Sequence, residues 1–266
     1  MTYVHGYDEA EAQRLQDQAT SLVELLLGDT AYDAGAYVLE AGCGTGAQTV
    51  TLAAHSPDAR FTSIDHSMSS LALAEAAVAS KGLLNVEFKN ADIYNLPFPE
   101  NSFDHVFVCF VLEHLRHPID ALRALRKVLR PNGTMTVIEG DHGSTYFHPD
   151  SVSAHKAIDC QIALQSQAGG DANIGRRLFP LLTEAGFASP RVSPRMVYVD
   201  GSKPELIDSF TLKTFTAMIE GVRANALAAG LMTADEFDRG ITDLCRTAES
   251  DGVFCYTFFK AVAVAN

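Results

Sequence analysis

The sequence predicts an α/β fold: a doubly wound, mostly parallel sheet of seven strands with the last strand antiparallel, plus helical cap insertions. Three observations lead to this prediction. Apolar runs of strand length alternate with helical patterns through the first half of the chain. A glycine-rich turn joins the first predicted strand to the next helix. The 266 residues are 47% hydrophobic, which is enough apolar material for the core of one large domain.

The first half of the chain contains five predicted strands. A helical pattern with apolar residues at a period of 3.6 comes first, over residues 9–27. The strands follow at 37–42, 60–65, 85–92, 103–111 and 134–140, with helices that begin near residues 48, 69 and 118 between them. Gly82 is expected to end the second of these helices, because glycine tolerates the left-handed backbone of a helix C-terminus. The fourth strand is almost continuously apolar, as expected for a strand covered on both faces.

The second half of the chain is less regular. Helices are predicted at 151–167 and 175–187, with Gly186 as the stop of the second, and strands at 191–200 and 252–265. Pro194 marks the strand at 191–200 as an edge or bulged strand, because proline cannot donate to a ladder. Residues 204–250 are predicted to form two helices broken at Gly230. These patterns predict a single Rossmann-like domain with an N-terminal helical cap at 1–35, a core at 36–142 and helical insertions at 143–172 and 200–250.

The net charge and the cysteine spacing argue against nucleic-acid binding and against a metal site. The formal net charge is −13 and no block of Lys or Arg interrupts it, so nucleic acid is not the expected partner. The five cysteines show no C-x-x-C spacing, which favours reduced thiols and no metal site. No apolar run approaches the roughly 18–20 residues of a membrane span, and no leader-like segment opens the chain. A cytoplasmic protein without membrane contact is expected, with an unknown oligomeric state.

A possible nucleoside site lies at the carboxyl ends of the first three strands. The glycines in "VLEAGCGTGAQTV" allow close approach of backbone to a ligand at a helix N-terminus. Gly42, Gly44 and Ala47 also satisfy a dinucleotide fingerprint, so this turn alone does not distinguish between ligands. Asp65 ends the second strand, where a carboxylate can accept both ribose hydroxyls. Asp92 ends the third strand, beside the same edge.

Four ordered segments resemble the successive motifs of class I S-adenosylmethionine-dependent methyltransferases. They are "VLEAGCGTG", "SIDHSMSSLALA", "NADIYNLPFPENSFDHVFVCFVLEHL" and "ALRKVLRPNGTMTVIEGDH". The resemblance covers about residues 36–142 and is strongest to the small-molecule branch that includes ubiquinone- and menaquinone-biosynthesis enzymes. It implies S-adenosyl-L-methionine as the cofactor, S-adenosyl-L-homocysteine as its product and a small molecule as the substrate.

The resemblance also implies roles for individual residues. Glu40 would lie near the methionine amino group, while Gly42 and Gly44 pass close to the methionine and ribose. Asp65 would hold the ribose hydroxyls, and His66 follows it. The resemblance places three residues around the adenine, namely Met68, Asp92 and Ile93. It places the backbone carbonyl of Cys109 near the methionine ammonium.

Two histidines are candidates for a general base. A hydroxyl, thiol or protonated amine acceptor needs a proton removed as it is methylated. His142 follows the fifth strand at the edge where the methyl must lie, and His114 follows the fourth strand. Each could instead have a structural role, His114 in the turn and His142 in the segment "GDHGSTYFHP". No convergent carboxylates support His142 and His148 as a metal pair.

The insertions and the N-terminal segment are expected to cover the site. Connections after the fifth strand and between the last two strands leave from the carboxyl edge, so both insertions should form a cap there. Tyr7 could lie near the sulfonium and Gln18 could reach the methionine carboxylate, with packing roles equally open. The candidate pocket walls, which could also be simply core residues, are Met196, Tyr198, Phe215, Met218 and Phe254.

Two alternatives stay open at this point. A non-catalytic member could bind the cofactor without turnover. An NAD(P)-dependent Rossmann oxidoreductase would keep Asp65 on a ribose. That second alternative leaves Asp92, Ile93 and the "FDHVFVCFVLEHL" segment unexplained, and the sequence has no Tyr-x-x-x-Lys pair for hydride chemistry.

Overall fold

A seven-stranded sheet in the order β3-β2-β1-β4-β5-β7-β6 organises the molecule. The computed structural model describes residues 22–266. The strands are β1 (Tyr37–Ala41), β2 (Arg60–Asp65), β3 (Val86–Asn90), β4 (Phe103–Cys109), β5 (Leu129–His148), β6 (Ala188–Asp200) and β7 (Val253–Val264). β1 to β5 are parallel, and β7 runs antiparallel between β5 and β6. This arrangement confirms the predicted Rossmann-like sheet and its antiparallel last strand.

Helices cover both faces of the sheet. They are α1 (Ala47–His55), α2 (Met68–Ser80), α3 (Pro118–Val128), α4 (Val152–Gln167), α5 (Leu178–Glu184), α6 (Pro204–Leu206), α7 (Ala217–Gly221), α8 (Arg223–Ala228) and α9 (Ala234–Arg246). Single turns of 3₁₀-helix occupy Leu112–His114 and Ile174–Arg177, and a π-helical segment spans Ile207–Thr216. Residues 22–27 are helical, while the rest of the predicted N-terminal helix lies outside the described residues.

The alternation of side chains along the strands gives the sheet two apolar faces. Val38, Phe107 and Ile138 point into one core, which also contains residues of α1 and three aromatic side chains of β7, Phe254, Tyr256 and Phe258. Leu39 and Val106 point into the other core, under α3 and α5. Because both faces are covered, these central strands are apolar at consecutive positions rather than at alternate ones.

The predicted helix stops and the edge strand are confirmed. Gly82 and Gly186 have φ of +65° and +89°, the left-handed backbone that ends a helix. Gly230, with φ of +66°, separates α8 from α9. Pro194 lies in β6, which is the edge of the sheet.

Two predicted boundaries are wrong. Residues 143–148 continue β5 instead of opening an insertion, because Tyr146 and His148 pair with Cys255 and Val253 of β7. Pairing with a distant strand overrides the loop-like local sequence. Residues 204–228 form α6, the π-helical segment, α7 and α8 where a single helix was predicted.

The two insertions leave from the same end of the sheet and contact each other. β5, β6 and β7 extend together beyond the carboxyl ends of β1 and β4 as an antiparallel ribbon. α4 follows β5, and α9 leads into β7, so both helices start or end at this ribbon. Ser151 Oγ donates to Asp243 Oδ2 at 2.6 Å, and Gly240 packs closely on the backbone of Ser153. The insertions therefore form one helical unit.

Candidate active site at the carboxyl edge of the sheet

The glycine loop after β1 crosses the end of β2 and leaves open space on one side. Gly42 and Gly44 have φ of +80° and +53°, a backbone that favours glycine. The backbone N–H of Gly42 donates to Ile64 O at 2.8 Å, which joins the loop to β2. A Cβ on Gly42 would lie 2.4 Å from Val111, whereas a Cβ on Gly44 would meet nothing within 4 Å. A ligand can thus approach the backbone closely at Gly44.

Asp65 lies beside this loop with hydrogen-bonding capacity to spare. Its Oδ2 accepts from Gly44 N–H at 2.9 Å and its Oδ1 accepts from Ser67 N–H at 2.8 Å. A carboxylate has about four acceptor sites, so each oxygen retains capacity for one hydroxyl. His66 Nδ1 is 3.3 Å from Asp65 Oδ1, and its ring is more than half exposed.

Glu40 is buried beneath the glycine loop. Its Oε2 accepts from the hydroxyls of Thr49 and Ser63, both at 2.7 Å, and the side chain is 3% exposed. Burial raises the pKa of Glu40 to about 7 even though both hydroxyl hydrogen bonds lower it. These contacts join β1, α1 and β2 under the loop.

The residues expected around an adenine lie on the exposed side of the same edge. Met68 is 68% exposed at the start of α2, so it is not a core methionine. Asp92 is exposed, and its Oδ1 accepts from Tyr94 N–H at 3.0 Å. Ile93 packs against the second core. Asn90, which the sequence did not single out, connects the two strand ends because its Nδ2 donates to the carbonyls of Asp65 and His66.

The end of β4 holds a strained residue. Cys109 ends the strand half-buried, and Phe110 follows with φ of +57°. A bulky side chain in this region is unusual and marks a constrained turn. The turn directs the N–H groups of Val111 and Leu112 at Glu139 Oε1, at 3.1 and 2.8 Å.

Glu139 is fully buried within β5, directly after Ile138, which pairs with Cys109 at the end of β4. Its Oε2 has no hydrogen-bond partner among the described residues. Burial, together with the neighbouring Glu113 carboxyl, raises the pKa of Glu139 well above its ordinary value. Glu113 Oε2 in turn accepts from Gln165 Nε2 of α4 at 3.2 Å.

His142 is held in a buried pair with Tyr256. Its Nδ1 is 2.8 Å from the Tyr256 hydroxyl, and His142 is 6% exposed. Burial and the Glu113 carboxyl raise the pKa of Tyr256, so the phenol stays protonated. Gly140 makes room for this hydroxyl, since a Cβ there would lie 2.4 Å from it.

Hydrogen bonds to residues 172–176 hold the backbone around His142 in place. Asp141, which is 2% exposed, accepts two hydrogen bonds from Arg176, from Nε at 2.8 Å and from Nη2 at 2.6 Å. The N–H of His142 donates to Ala172 O, and that of Gly143 donates to Asn173 Oδ1. These bonds fix the position of the His142 ring at the edge of the sheet.

The remaining predicted site residues are more scattered. His114 Nε2 lies 3.6 Å from Glu113 Oε1, in the turn after β4. Phe215 and Phe254 are buried beside Tyr256, whereas Met196 and Tyr198 are 53% and 40% exposed. Tyr7 and Gln18 lie outside the described residues. Across residues 22–266, no group of three or more His, Cys, Asp or Glu side chains is arranged to hold a metal ion, and no helix is long and apolar enough to cross a membrane.

Sequence reasoning missed Tyr256, Glu139 and Arg176. Tyr256 reaches His142 only through the pairing of β5 with β7, and Arg176 reaches Asp141 from a turn 35 residues later. Glu139 lies only three residues before His142, but its contacts with the turn after β4 form only when β4 and β5 pair. The one available pattern was the placement of Glu139 and Asp141 on either side of Gly140 at a strand end.

Comparison with known proteins gives consistent matches. A family described as "Methyltransferase domain" matches residues 38–133. An uncharacterized methyltransferase of Schizosaccharomyces pombe is 31% identical over 166 residues, which is 58% of each chain. A demethylmenaquinone methyltransferase of Geobacillus stearothermophilus is 33% identical over 106 residues, 40% of this chain and 45% of the relative. The chain thus spans about half the length of the curated relatives it matches.

A solved structure extends the match to the whole fold. The crystal structure of an S-adenosylmethionine-dependent methyltransferase from Aquifex aeolicus aligns with a TM-score of 0.56, at 17% identity. The alignment covers 98% of this chain and all of that one. At this identity the likeness concerns the fold, so the sheet with its helical layers is shared.

Proposed function

Because the chain belongs to the class I S-adenosylmethionine-dependent methyltransferase family, we propose that it transfers a methyl group from S-adenosylmethionine to a small organic molecule. The observation that carries this proposal is the edge of the sheet, where the glycine loop and Asp65 follow β1 and β2 and the buried pair of His142 and Tyr256 lies on β5 and β7, with only β4 between the two groups. A cofactor half and a proton-accepting half therefore meet at one edge.

The residues around the glycine loop fit this cofactor. Open space at Gly44 can receive the methionine and ribose, and Asp65 retains acceptor sites for two ribose hydroxyls. Asp92, Ile93 and Met68 are available to an adenine on the exposed side. We assign Glu40 to support of the loop and to the charge of the methionine ammonium, with the Cys109 carbonyl also near that ammonium. When bound, S-adenosylmethionine supplies a methyl group on an already electrophilic sulfonium.

The protein then has two tasks, to align the acceptor and to exclude water. His142 is our candidate for the base that removes the acceptor's proton. If Nδ1–H donates to the Tyr256 oxygen, the Nε2 lone pair can accept that proton. The helical segments that follow β5 and β6, at 149–172 and 200–250, would roof the acceptor pocket. The net charge of −13 favours a small molecule over nucleic acid.

A binding measurement tests the cofactor. Calorimetric titration of the purified protein with S-adenosylmethionine should show saturable binding. NADH should not displace the bound S-adenosylmethionine. Asp65→Ala should weaken binding by about 1–3 kcal/mol, because the ribose hydroxyls lose a buried partner. A folded protein that does not bind at millimolar concentration excludes the proposal, and displacement by NADH favours an oxidoreductase.

A transfer experiment tests the reaction. Incubation with methyl-labelled cofactor and a small-molecule cell extract, followed by mass spectrometry, should give labelled small-molecule products. Label found only in nucleic acid or protein contradicts the substrate class. Tight cofactor binding with no transfer to any fraction supports the non-catalytic alternative.

A further inference from the structure

A chain of buried polar side chains connects the cap to the sheet edge beside His142. Gln161 Nε2 donates to Gln165 Oε1 at 3.0 Å, and Gln165 Nε2 donates to Glu113. Each of these glutamines is at most 2% exposed. Buried polar groups are costly unless they are satisfied, so a set of this size in a helical cap needs a reason. The full set is Glu113, Glu139, His142, Gln161, Gln165 and Tyr256.

Three buried oxygen atoms in this region have no hydrogen-bond partner among the described residues. Glu139 Oε2 is one, in a side chain that is fully buried. The other two, Thr211 Oγ1 and Thr216 Oγ1, lie on the π-helical segment, directly after Phe210 and Phe215. π-Helical turns are frequent at functional sites, and an unsatisfied buried carboxylate oxygen costs more than a neutral one. A ligand with hydrogen-bond donors would satisfy Glu139.

Aromatic rings surround Tyr256 in the same region. Tyr256 lies 4.7 Å from Phe258, 5.5 Å from Phe215 and 6.1 Å from Phe210, measured between ring centroids. The strained Phe110 packs its ring 5.4 Å from Phe258, directly before the turn that contacts Glu139. Aromatic faces combined with carboxylates form an environment that favours an organic cation over an anion or a neutral molecule.

We infer that this set of side chains is the acceptor site and that it recognises an amine in its ammonium form, with Glu139 and Glu113 holding the charge and the rings around Tyr256 holding the apolar part. The inference rests on the proposed methyl transfer and specifies its substrate class. The Glu113 carboxyl acts on Glu139 as a like charge, so an ammonium held by both carboxyls would relieve their repulsion.

The reaction of such an acceptor balances with the residues present. His142 takes one proton from the ammonium, which leaves a neutral amine with a lone pair. That lone pair forms the new N–C bond while the bond between the methyl carbon and sulfur breaks, and its electron pair stays on sulfur. The methylated amine carries the positive charge, S-adenosylhomocysteine leaves neutral at sulfur, and His142 passes its proton to water.

The test compares amines with their alcohol isosteres. Protein saturated with S-adenosylhomocysteine is titrated calorimetrically with matched primary amines and alcohols, both aliphatic and aromatic, from two to ten carbon atoms; phenethylamine and 2-phenylethanol are one such pair. At least one amine should bind tenfold or more tightly than its alcohol, and labelled cofactor should methylate it. If the alcohols bind as well, or if no amine binds while the cofactor does, the inference is wrong.

Substitutions locate the preference. Glu139→Gln should reduce the ratio of amine to alcohol affinity at least tenfold while cofactor affinity stays unchanged, and Glu113→Gln should act in the same direction. Glu184→Gln, an exposed site at the end of α5, is the matched control and should change nothing. Circular dichroism checks that each variant folds. If Glu139→Gln does not fold, Glu113→Gln provides the test of the amine preference. A folded pair of variants that keep the full preference contradicts the inference, and loss of cofactor binding by the parent protein contradicts the proposed function instead.

Discussion

At the level of single residues, the proposed chemistry depends on which ring nitrogen of His142 carries hydrogen. Tyr256 can donate to Nδ1 or accept from it, and only the second arrangement puts the ring lone pair on Nε2, the atom proposed to accept the substrate proton. Glu113, Glu139 and Asp141 all act on Tyr256 electrostatically, so the pair lies in a negative environment. Such an environment stabilises the imidazolium that forms when His142 accepts a proton.

The His142 prediction follows from this geometry. His142→Ala should lower kcat by about 10²–10⁴-fold, and Tyr256→Phe should lower it by a smaller factor, about tenfold, because the ring loses orientation but stays present. Steady-state kinetics with an acceptor from the transfer experiment measures both, with cofactor affinity as the control. An unchanged kcat in His142→Ala would leave His142 a structural residue.

Glu40 gives a prediction about pH. Its carboxyl has a pKa of about 7 in the folded protein and about 4.5 when exposed, so folding takes up a proton between these values. The contribution of Glu40 to stability therefore falls as pH rises from 4.5 to 7, by up to about 3 kcal/mol. Without cofactor, Glu40→Gln should gain stability relative to the parent protein over this window, measured by urea unfolding at pH 5 and pH 7.5. Glu87→Gln, at an exposed site, should not, and parallel stability curves for Glu40→Gln and parent would refute the prediction.

At the level of secondary-structure elements, the position of the glycine loop depends on its contact with the turn after β4 as well as on the backbone freedom of glycine. Gly42 approaches Val111 of the turn after β4, so the loops after β1 and β4 form one surface. Gly44 faces open space instead. The two glycines are therefore not equivalent. A side chain on Gly42 would collide with Val111, whereas a side chain on Gly44 would occupy the open space that we propose for the cofactor.

Two alanine substitutions separate strain from contact. Gly42→Ala and Gly82→Ala both force a positive φ on alanine, at +80° and +65°, which costs about 1–2 kcal/mol in each. Only Gly42→Ala also drives a methyl group against Val111. Thermal unfolding and cofactor titration should show a larger loss for Gly42→Ala, partly restored by adding Val111→Ala. Equal losses in the two glycine variants would mean that the contact with Val111 does not matter.

Sequence patterns predicted the elements up to β5 well and the cap poorly, for a physical reason. β2 is bounded by residues 60 and 65 as predicted, because turn residues flank each local apolar run. In contrast, β5 runs on to His148 only because β7, more than 100 residues later, pairs with it. The candidate cofactor residues could be proposed from sequence because they follow predicted strand ends in order. Tyr256, in contrast, becomes a neighbour of His142 only after β5 and β7 pair.

At the level of the whole molecule, the proposed cofactor and acceptor sites occupy different parts of the chain. The glycine loop, Glu40 and Asp65 belong to the parallel strands β1 and β2. The acceptor side depends on the ribbon of β5 to β7 and on the unit formed by α4 and α9. The two parts share the turn after β4, where Val111 contacts Gly42 and donates to Glu139.

A substitution at the contact between α4 and α9 tests whether the cap can be destabilised without loss of cofactor binding. A Cβ at Gly240 would lie 2.6 Å from the carbonyl oxygen of Ser153, so Gly240→Ala must push α9 away from α4. We expect a loss of about 1–3 kcal/mol in unfolding free energy and faster amide hydrogen exchange in both helices, with cofactor affinity changed less than twofold. Gly221→Ala, at the end of α7 where a Cβ meets nothing within 4 Å, is the control. A parallel loss of cofactor affinity would show that the two parts are not separable.

The strand order has a consequence for biosynthesis. β7 is made after the other six strands of this sheet, yet it lies between β5 and β6 and pairs with both. While the chain is being translated, the growing sheet therefore ends at an unpaired, apolar β5, and β6 has no partner at all. Lys260 of β7 also donates to Leu26 O and Asp29 Oδ1. The segment before β1 therefore lacks these two hydrogen bonds until β7 has been made. A ribosome that stalls before codon 253 would present an exposed edge that is prone to aggregation, which makes this nascent chain a natural client for chaperones.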